Sequence, residues 1–420
     1  MSKKGLSTEP YKGVRDFYPE DMAIQRYIFD IWSQTAESYG FERYDASILE
    51  PSVLYKSKGA ENEEMVNEQT YTFIDRGDRE VTLRPEMTPT VARMIAKKSR
   101  ELSFPVRWYS IPNLFRYERP QRGRLREHYQ LNCDIFGADH YSADVEVISL
   151  AYNMLINFGA DPKMFEIRIN DRKEMTALYE EAGITDLEIQ SKVTRLNDKF
   201  RKIEKDDYKN ELMEVLKDKE IVKKIYSIVS SEEKESQNPV LDGLRELGIK
   251  NVKIDRSLAR GFDYYTGTIF EIFDVSGENN RSMLGGGRYD NLTALFGGDA
   301  ISGIGFGMGD VTMRDFLETH DLLTSDITAP TLMILPTDEK FNMDGQKIAQ
   351  EFRNADISVA VDLSTKKVGK KISEASDAFV SYVLVLGEDE MKSKKYIVKN
   401  LEAKEELSGT LDELIAKISS

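Results

Sequence analysis

Three short segments carry residue types that together suit an anionic ligand. Phe115-Arg116-Tyr117-Glu118-Arg119 puts Arg116 and Glu118 on one face of an extended chain, because side chains at i and i+2 project together. Arg84-Pro85-Glu86-Met87-Thr88 sets a charge, a fixed φ and two acceptors just before a helical pattern, where backbone N–H groups also face outward. Arg260-Gly261-Phe262-Asp263-Tyr264-Tyr265-Thr266-Gly267 adds a guanidinium beside two phenols. Between residues 107 and 126 lie six arginines, Arg107, Arg116, Arg119, Arg122, Arg124 and Arg126, with Glu118 the one acid and no lysine. A guanidinium is a planar fork that matches phosphate oxygens two at a time, so the chemistry indicated is phosphate held by arginine. A solvated arginine-rich hairpin accounts equally well for the cluster taken alone.

Other chemistries lack their residues. There is no G-x-x-x-x-G-K-[ST], no G-x-S-x-G and no cysteine–histidine pair, so neither a P-loop nor a covalent nucleophile is indicated. The run GIGFGMG (303–309) lacks the preceding strand of a βαβ unit and a later acidic partner, which argues against a dinucleotide fold. A single cysteine, Cys133, and three scattered histidines, His128, His140 and His320, give no disulfide and no metal-ligand spacing. No side-chain metal site is expected, and the lone thiol suits a reducing, cytoplasmic setting. MSKKGLSTEP has no apolar stretch behind its lysines, and no run approaches the ~18 residues of a membrane span. The net charge of −15 repels nucleic acid at long range, so a nucleic-acid partner has to be met by a local basic patch.

The elements that position these segments follow from periodicity. With 420 residues, two or three domains are expected. Ile24, Tyr27, Ile28, Ile31 and Trp32 recur at helical spacing within 21–40 and stop at Gly40. Extended segments at 69–75, 79–84, 107–117, 129–136 and 165–170 predict an antiparallel sheet with one buried face, with helices near 88–100 and 141–159. Residues 171–250 hold 35 charged residues and three glycines, reading as an inserted helical subdomain. Residues 259–310 hold 12 of the 27 glycines, so backbone there comes close to something. TSDITAP (324–330) reads as a linker. After it, strand, helix, strand, helix, strand, strand and helix alternate through 331–420, a small α/β domain.

At this point the segments resemble a family. PNLFRYERPQRGRLREHYQLNCDIFG (112–137) resembles motif 2 of the class II aminoacyl-tRNA synthetases. LARGFDYYTGTIFEIF (258–273) and LGGGRYDNL (284–292) resemble the two signatures of the histidyl-tRNA synthetase family. YKGVRDFYPED (11–21), a motif 1 candidate YGFERYDASILEP (39–51) and TLRPEMT (82–88) extend the match over nearly the whole chain. The resemblance implies an α+β catalytic core, an antiparallel sheet flanked by helices, over 1–170 and 251–323. It also implies a variable helical insertion and a C-terminal anticodon-binding domain. The activity implied is histidine activation with ATP to histidyl-adenylate, then transfer to tRNA(His). Mg²⁺ on the β- and γ-phosphates and a homodimer built on motif 1 belong to the same expectation.

By the same resemblance, Arg116 grips the α-phosphate and Arg260 sits between that phosphate and the histidine carboxylate. Glu118, Arg124 and His128 join Arg116 around ATP, with Arg124 at the γ-phosphate. Asp134 and Tyr265 meet the imidazole, Gln130 lies beside ring and α-amino group, and Glu86 and Thr88 hold the α-amino group. Tyr264 belongs to the same histidine pocket and Tyr289 closes it. Arg119, Gln121 and Arg122 belong to the loop that reads the tRNA acceptor end.

Three positions depart from the pattern, one of them His128, which stands on the other adenine face at a place that often holds phenylalanine. Thr312 stands in GFGMGDVTMRDF where the class carries an arginine over the adenine ring, and Arg314 lies roughly 200° further round a helix. Asp134 stands where many members carry glutamate. The missing arginine leaves one alternative, a non-catalytic synthetase-like regulatory subunit of an ATP phosphoribosyltransferase. Such subunits typically lack the C-terminal domain, which this sequence carries. A class II enzyme for another amino acid is disfavoured by RGFDYYTG and GGGRYDNL together.

Overall fold

The computed structural model describes residues 5–56, 69–231, 238–259, 264–279, 281–324 and 329–419. They fall into two compact units, Met1–Thr324 and Ser325–Ser420. The first begins with α1 (Pro19–Ser38), which has proline in its first turn beside Glu20 and Asp21 and buries Ile28, Trp32 and Ala36 along one stripe. Its strands are β1 (Glu42–Arg43), β2 (Leu49–Pro51), β3 (Tyr71–Ile74), β4 (Glu80–Leu83), β5 (Val106–Ser110), β6 (Asn113–Phe115) and β7 (Glu127–Phe136). They continue with β8 (Phe165–Asp171), β9 (Val252–Ile254), β10 (Thr268–Asp274), β11 (Ser282–Arg288) and β12 (Gly303–Gly309).

One nine-stranded sheet runs β1-β5-β7-β12-β11-β10-β8-β9, with β6 also on β7. It is antiparallel, as the alternating segments predict, except at its two edges. There β1 pairs β5 and β8 pairs β9 in parallel, and each pair is joined by a long crossover. The segments at 69–75 and 79–84 do not join this sheet: β3 and β4 form a separate three-stranded sheet with β2. GIGFGMG is β12, a central strand between β7 and β11, which accounts for the missing βαβ context.

One face of the large sheet is a hydrocarbon core. Leu131, Cys133 and Ile135 of β7 meet Ile28 and Trp32 of α1, Leu150 and Met154 of α4 (Ser142–Asn157) and Phe316 of α10 (Asp310–Thr319). The helix α3 (Thr88–Lys98) packs through Val91, Ala92 and Ile95 into a second cluster with Phe136, Tyr265 and Tyr289. Within 171–250, α5 (Arg172–Ala182), α6 (Leu187–Lys199), α7 (Lys205–Leu216) and α8 (Lys219–Ser230) share a core of their own around Tyr179, Val193, Tyr208 and Ile225. The helix α9 (Pro239–Glu246) instead buries Val240, Leu241 and Leu244 in the main core. The separate helical core therefore ends with α8, short of residue 250, because charge density does not reveal which surface a helix packs on.

The second unit has a five-stranded sheet, β14-β13-β15-β16-β17, formed by Leu332–Pro336 (β13), Val359–Val361 (β14), Tyr382–Leu386 (β15), Tyr396–Asn400 (β16) and Glu406–Gly409 (β17). The β13 pairs are parallel and the rest antiparallel. The sequence reading lacks β17 and the short helix Glu388–Ser393, the strand because ELSG is short with a single apolar residue, the helix because EDEMKS is mostly charged.

The other face of the large sheet is stripped of side chains along β12. A Cβ on Gly305 would collide with Asp134 Oδ1 and lie 2.7 Å from the Cys133 carbonyl, and one on Gly307 would lie 2.8 Å from Gln130 Cδ. Gly303 faces the Tyr289 ring in the same way, at 2.5 Å. Gly305→Ala should therefore cost about 1–3 kcal/mol by overpacking. Gly298→Ala, with nothing within 4 Å, should leave the urea midpoint unchanged.

Candidate active site

Alternation along β7 sends Leu131, Cys133 and Ile135 into the core, with half-buried Tyr129 against Phe29 on the same side, and leaves His128, Gln130, Asn132 and Asp134 in a row on the opposite face. The near end of that row opens into a cavity of about 1120 Å³ lined by Arg116, Glu118, Arg124, His128, Gln130, Glu271, Arg281 and Thr312. Arg201 and Lys202, just past α6, form part of its far wall, and Arg201 Nε donates to Asp255 Oδ2 at 3.0 Å. Arg116 is set by a hydrogen bond from Nε to the Pro85 carbonyl, 2.9 Å, which ties the motif 2 segment to the turn before α3. Arg124 pairs with Glu118 at 3.2 Å. Burial, then Arg116 and Arg15, push the His128 imidazole down to about 3, so the ring is neutral at neutral pH.

The far end of the row is a closed cluster of phenols and carboxylates. The Tyr289 hydroxyl donates to Asp134 Oδ1, and Tyr264 donates to Glu86 Oε2 at 3.3 Å. The Tyr264 ring lies 4.8 Å from Tyr265 and 5.9 Å from Tyr289. Asp134 Oδ2 is buried with no hydrogen-bond partner among the described residues, an acceptor in want of a donor. Burial pushes the Asp134 carboxyl up to about 7, against the lowering effect of the Tyr289 hydroxyl. Thr88 opens α3 beside buried Glu86, and Gln130 lies against the bare backbone of Gly307 between the cluster and the cavity. Arg260, with Gly261, Phe262 and Asp263, lies outside the described residues, as do 325–328 of the linker segment.

The six-arginine cluster divides by geometry. Arg107 is committed to Glu146 at 2.5 Å. Arg126 is a clamp: its guanidinium lies over Tyr117 at 4.0 Å, donates to the Tyr11 hydroxyl at 2.9 Å and through Nε to the Glu118 carbonyl at 3.2 Å. Arg119, Gln121, Arg122 and Arg124 are exposed on the loop between β6 and β7, whose tip is a tight turn closed by two backbone bonds between Gln121 and Arg124. Gly123 supplies the positive φ of that turn, +75°. Arg84 is buried and spends its donors on Asn113 and Ala46 carbonyls and on Asp45, so it is structural and not a ligand group.

Sequence reasoning did not find Arg281, Glu271 or Tyr44. Glu271 is an acid in the middle of the otherwise apolar stretch TIFEIF, a signal that was available. Tyr44, within the motif 1 segment, carries a phenol whose pKa is pushed up by burial first and by the charge of Asp134 second. Arg281 has no local signature, because only folding brings the turn before β11 to the motif 2 loop.

An antiparallel sheet with an arginine-lined cavity on its glycine face is the architecture of the class II aminoacyl-tRNA synthetases. A family model described as "Histidyl-tRNA synthetase" matches residues 13–310 and one described as "Anticodon binding domain" matches 331–420. The chain is 42% identical to the histidine–tRNA ligase of Leptospira biflexa (100% of this chain, 99% of that one). It is 38% identical to that of Thermoplasma volcanium (98% of each chain). Its fold matches the crystal structure of histidyl-tRNA synthetase from Nostoc sp. PCC 7120 with a TM-score of 0.77 over 99% of both chains, at 22% identity. The chain belongs to the histidyl-tRNA synthetase family.

Since Asp134 holds its proton up to about pH 7 in the native state and the unfolded chain releases it near 3.8, this site's contribution to stability falls as pH rises through that window. Asp134→Asn, which cannot ionise, should gain stability relative to the parent as pH rises from 3.8 to about 7 and level off above that, read from urea midpoints at each pH.

Proposed function

We infer that the chain joins histidine to the 3′ end of tRNA(His) in two steps, through histidyl-adenylate and with release of pyrophosphate and then AMP. The observation that carries this reading is the polar row on β7. Six residues separate His128 from Asp134, roughly 20 Å of strand, a length over which a nucleotide and an amino acid can lie end to end. The cavity supplies Arg116, Arg124, Glu118 and His128 to ATP. The closed cluster of Glu86, Asp134, Tyr264, Tyr265 and Tyr289, with Thr88 and Gln130 at its edge, receives histidine. Asp134 Oδ2 accepts the imidazole N–H, which supplies its missing donor. A site that must satisfy buried polar groups rejects analogues lacking the matching group by ~10⁴ to 10⁵.

The first step brings two anions together, the histidine carboxylate and the α-phosphate. A carboxylate oxygen forms the new bond to phosphorus and pyrophosphate leaves with the electrons of the broken one. Arg116 holds the α-phosphate and Arg260 bridges it to the attacking carboxylate, so the enzyme works by positioning and charge without a covalent intermediate. In the second step a terminal ribose hydroxyl takes the histidyl group, guided by Arg119, Gln121 and Arg122. Mg²⁺ belongs to the same reading, as neutraliser of the triphosphate charge. Among the described residues no three ligand-type side chains cluster, while Glu118 and Glu271 line the cavity, a donor set that suits an ion taking most of its oxygens from phosphate and water.

A homodimer is also part of the proposal. Val53, Phe73 and Ile74 are 68%, 47% and 61% exposed on and beside the small sheet that follows the motif 1 segment, apolar area suited to a second copy. Among the described residues no helix is long and apolar enough to cross a membrane, and the buried thiol of Cys133 fits the cytoplasm as the site of action.

Pure protein should catalyse histidine-dependent ATP–pyrophosphate exchange, and with no other amino acid; absence of exchange at millimolar ATP would return the regulatory-subunit alternative. Arg260→Ala should lower exchange by roughly 10²- to 10³-fold with histidine affinity within tenfold of the parent. Val53→Glu with Ile74→Glu should turn a dimer into a monomer in sedimentation velocity.

A further inference from the structure

The position on α10 where the class carries an arginine is held by Thr312, whose hydroxyl donates inward, 3.0 Å from the Met283 carbonyl and 3.1 Å from that of Gly309. What it offers the cavity is a methyl group. Arg314 is bound to Glu318 at 2.8 Å and to Asp21 at 3.2 Å, so it is committed elsewhere. Arg281 arrives from the turn before β11. A Cβ built on Gly123 would lie 3.5 Å from Thr312 Cγ2 and 3.6 Å from Arg281 Cδ, which brings the two side chains together at one glycine of the motif 2 loop.

Arg281 lines the large cavity with Arg116, Glu118 and Arg124, and also an adjoining one of about 240 Å³. Its Nη1 is buried and has no hydrogen-bond partner among the described residues. Burial and the neighbouring Arg124 hold its pKa below the ordinary arginine value, with Glu118 acting the other way. A half-buried guanidinium whose buried Nη1 has no partner among the described residues, facing a cavity of this size, is a feature that a ligand would complete. The turn that carries it is anchored: Asp274 accepts from Ser276 N at 2.8 Å and Asn279 Nδ2 at 2.6 Å, and meets His320 Nε2 at 2.9 Å.

We propose that Arg281 supplies, from the lip of β11, the guanidinium that α10 lacks at Thr312, and covers the base of ATP. This rests on the reading of the cavity as the nucleotide site. A planar guanidinium can lie on a purine face, and the neutral His128 ring on the same cavity wall provides a second flat surface. The closed cluster proposed for histidine is built from other residues, so the contribution is confined to the nucleotide.

In pyrophosphate exchange, Arg281→Ala should raise the KM for ATP about tenfold and leave the KM for histidine within about twofold. Arg281→Lys, which keeps the charge and loses the plane, should behave like the alanine variant. Thr312→Arg placed in the Arg281→Ala background should recover most of the loss. An unchanged KM for ATP, an equal rise in the KM for histidine, or a double variant no better than Arg281→Ala overturns the assignment. A parent protein without exchange removes the nucleotide reading itself, an outcome distinct from exchange that is indifferent to Arg281.

Discussion

Everything at this site depends on an exchange between two neighbouring strands. β7 can carry Gln130 and Asp134 flat over the sheet only because β12 gives up its side chains beside them. Gly305 and Gly307 leave backbone where any Cβ would strike the Asp134 carboxylate or the Gln130 amide. A sheet interior normally fills such positions with β-branched residues. Here the lost packing is made up on the opposite face, where Ile304, Phe306 and Met308 of the same strand are fully or almost fully buried. One strand is therefore a core element on one side and a floor on the other.

That floor has two electrostatic regimes. At one end the cavity is open and arginine-rich, and its charges are shared among Arg116, Arg124 and Glu118 in contact with solvent. At the other, Asp134 is buried beside Tyr289 and Tyr44, and desolvation decides its protonation. The same strand thus carries a ring kept neutral by burial, His128, and a carboxyl kept protonated by burial up to neutral pH, with the amide of Gln130 between them. The arginine-rich end and the buried carboxyl are separated by Gln130 and Asn132, polar but uncharged surface on the same face of the strand.

The architecture was legible in the sequence where periodicity is strong. The helix beginning near residue 21, the alternation in FEIRIN and the α/β rhythm after residue 330 all correspond to elements found. The glycine runs were legible as close approach but not as strands, because glycine carries no strand propensity and only the register with β7 shows what it makes room for. The split of β2, β3 and β4 into their own sheet was not legible, since two short amphipathic strands look alike whichever sheet they join. At the candidate site, motif resemblance brought Arg116, Glu118, Gln130 and Asp134 into view, and the structure sets the last two on β7 and the first two on the segment that leaves β6. Arg84 looked like a ligand group because sequence cannot show that its donors are already taken by Asn113, Ala46 and Asp45. Arg281 was invisible for the opposite reason: its Nη1 is untaken among the described residues, and nothing local says so.

The clamp formed by Arg126 with Tyr11 and Tyr117 has a mechanical meaning. It fixes the root of the motif 2 loop, while Gly123 fixes the curvature of the tip, so the backbone between them is already shaped before any strand of nucleic acid arrives. In the proposed role at the tRNA acceptor end, the exposed side chains of Arg119, Gln121 and Arg122 are what an encounter has to order, and the entropy lost is that of a few rotamers instead of a whole loop. A hook with a stiff shank and soft barbs would, in that role, take its ligand in slightly different attitudes and still deliver it to the same point.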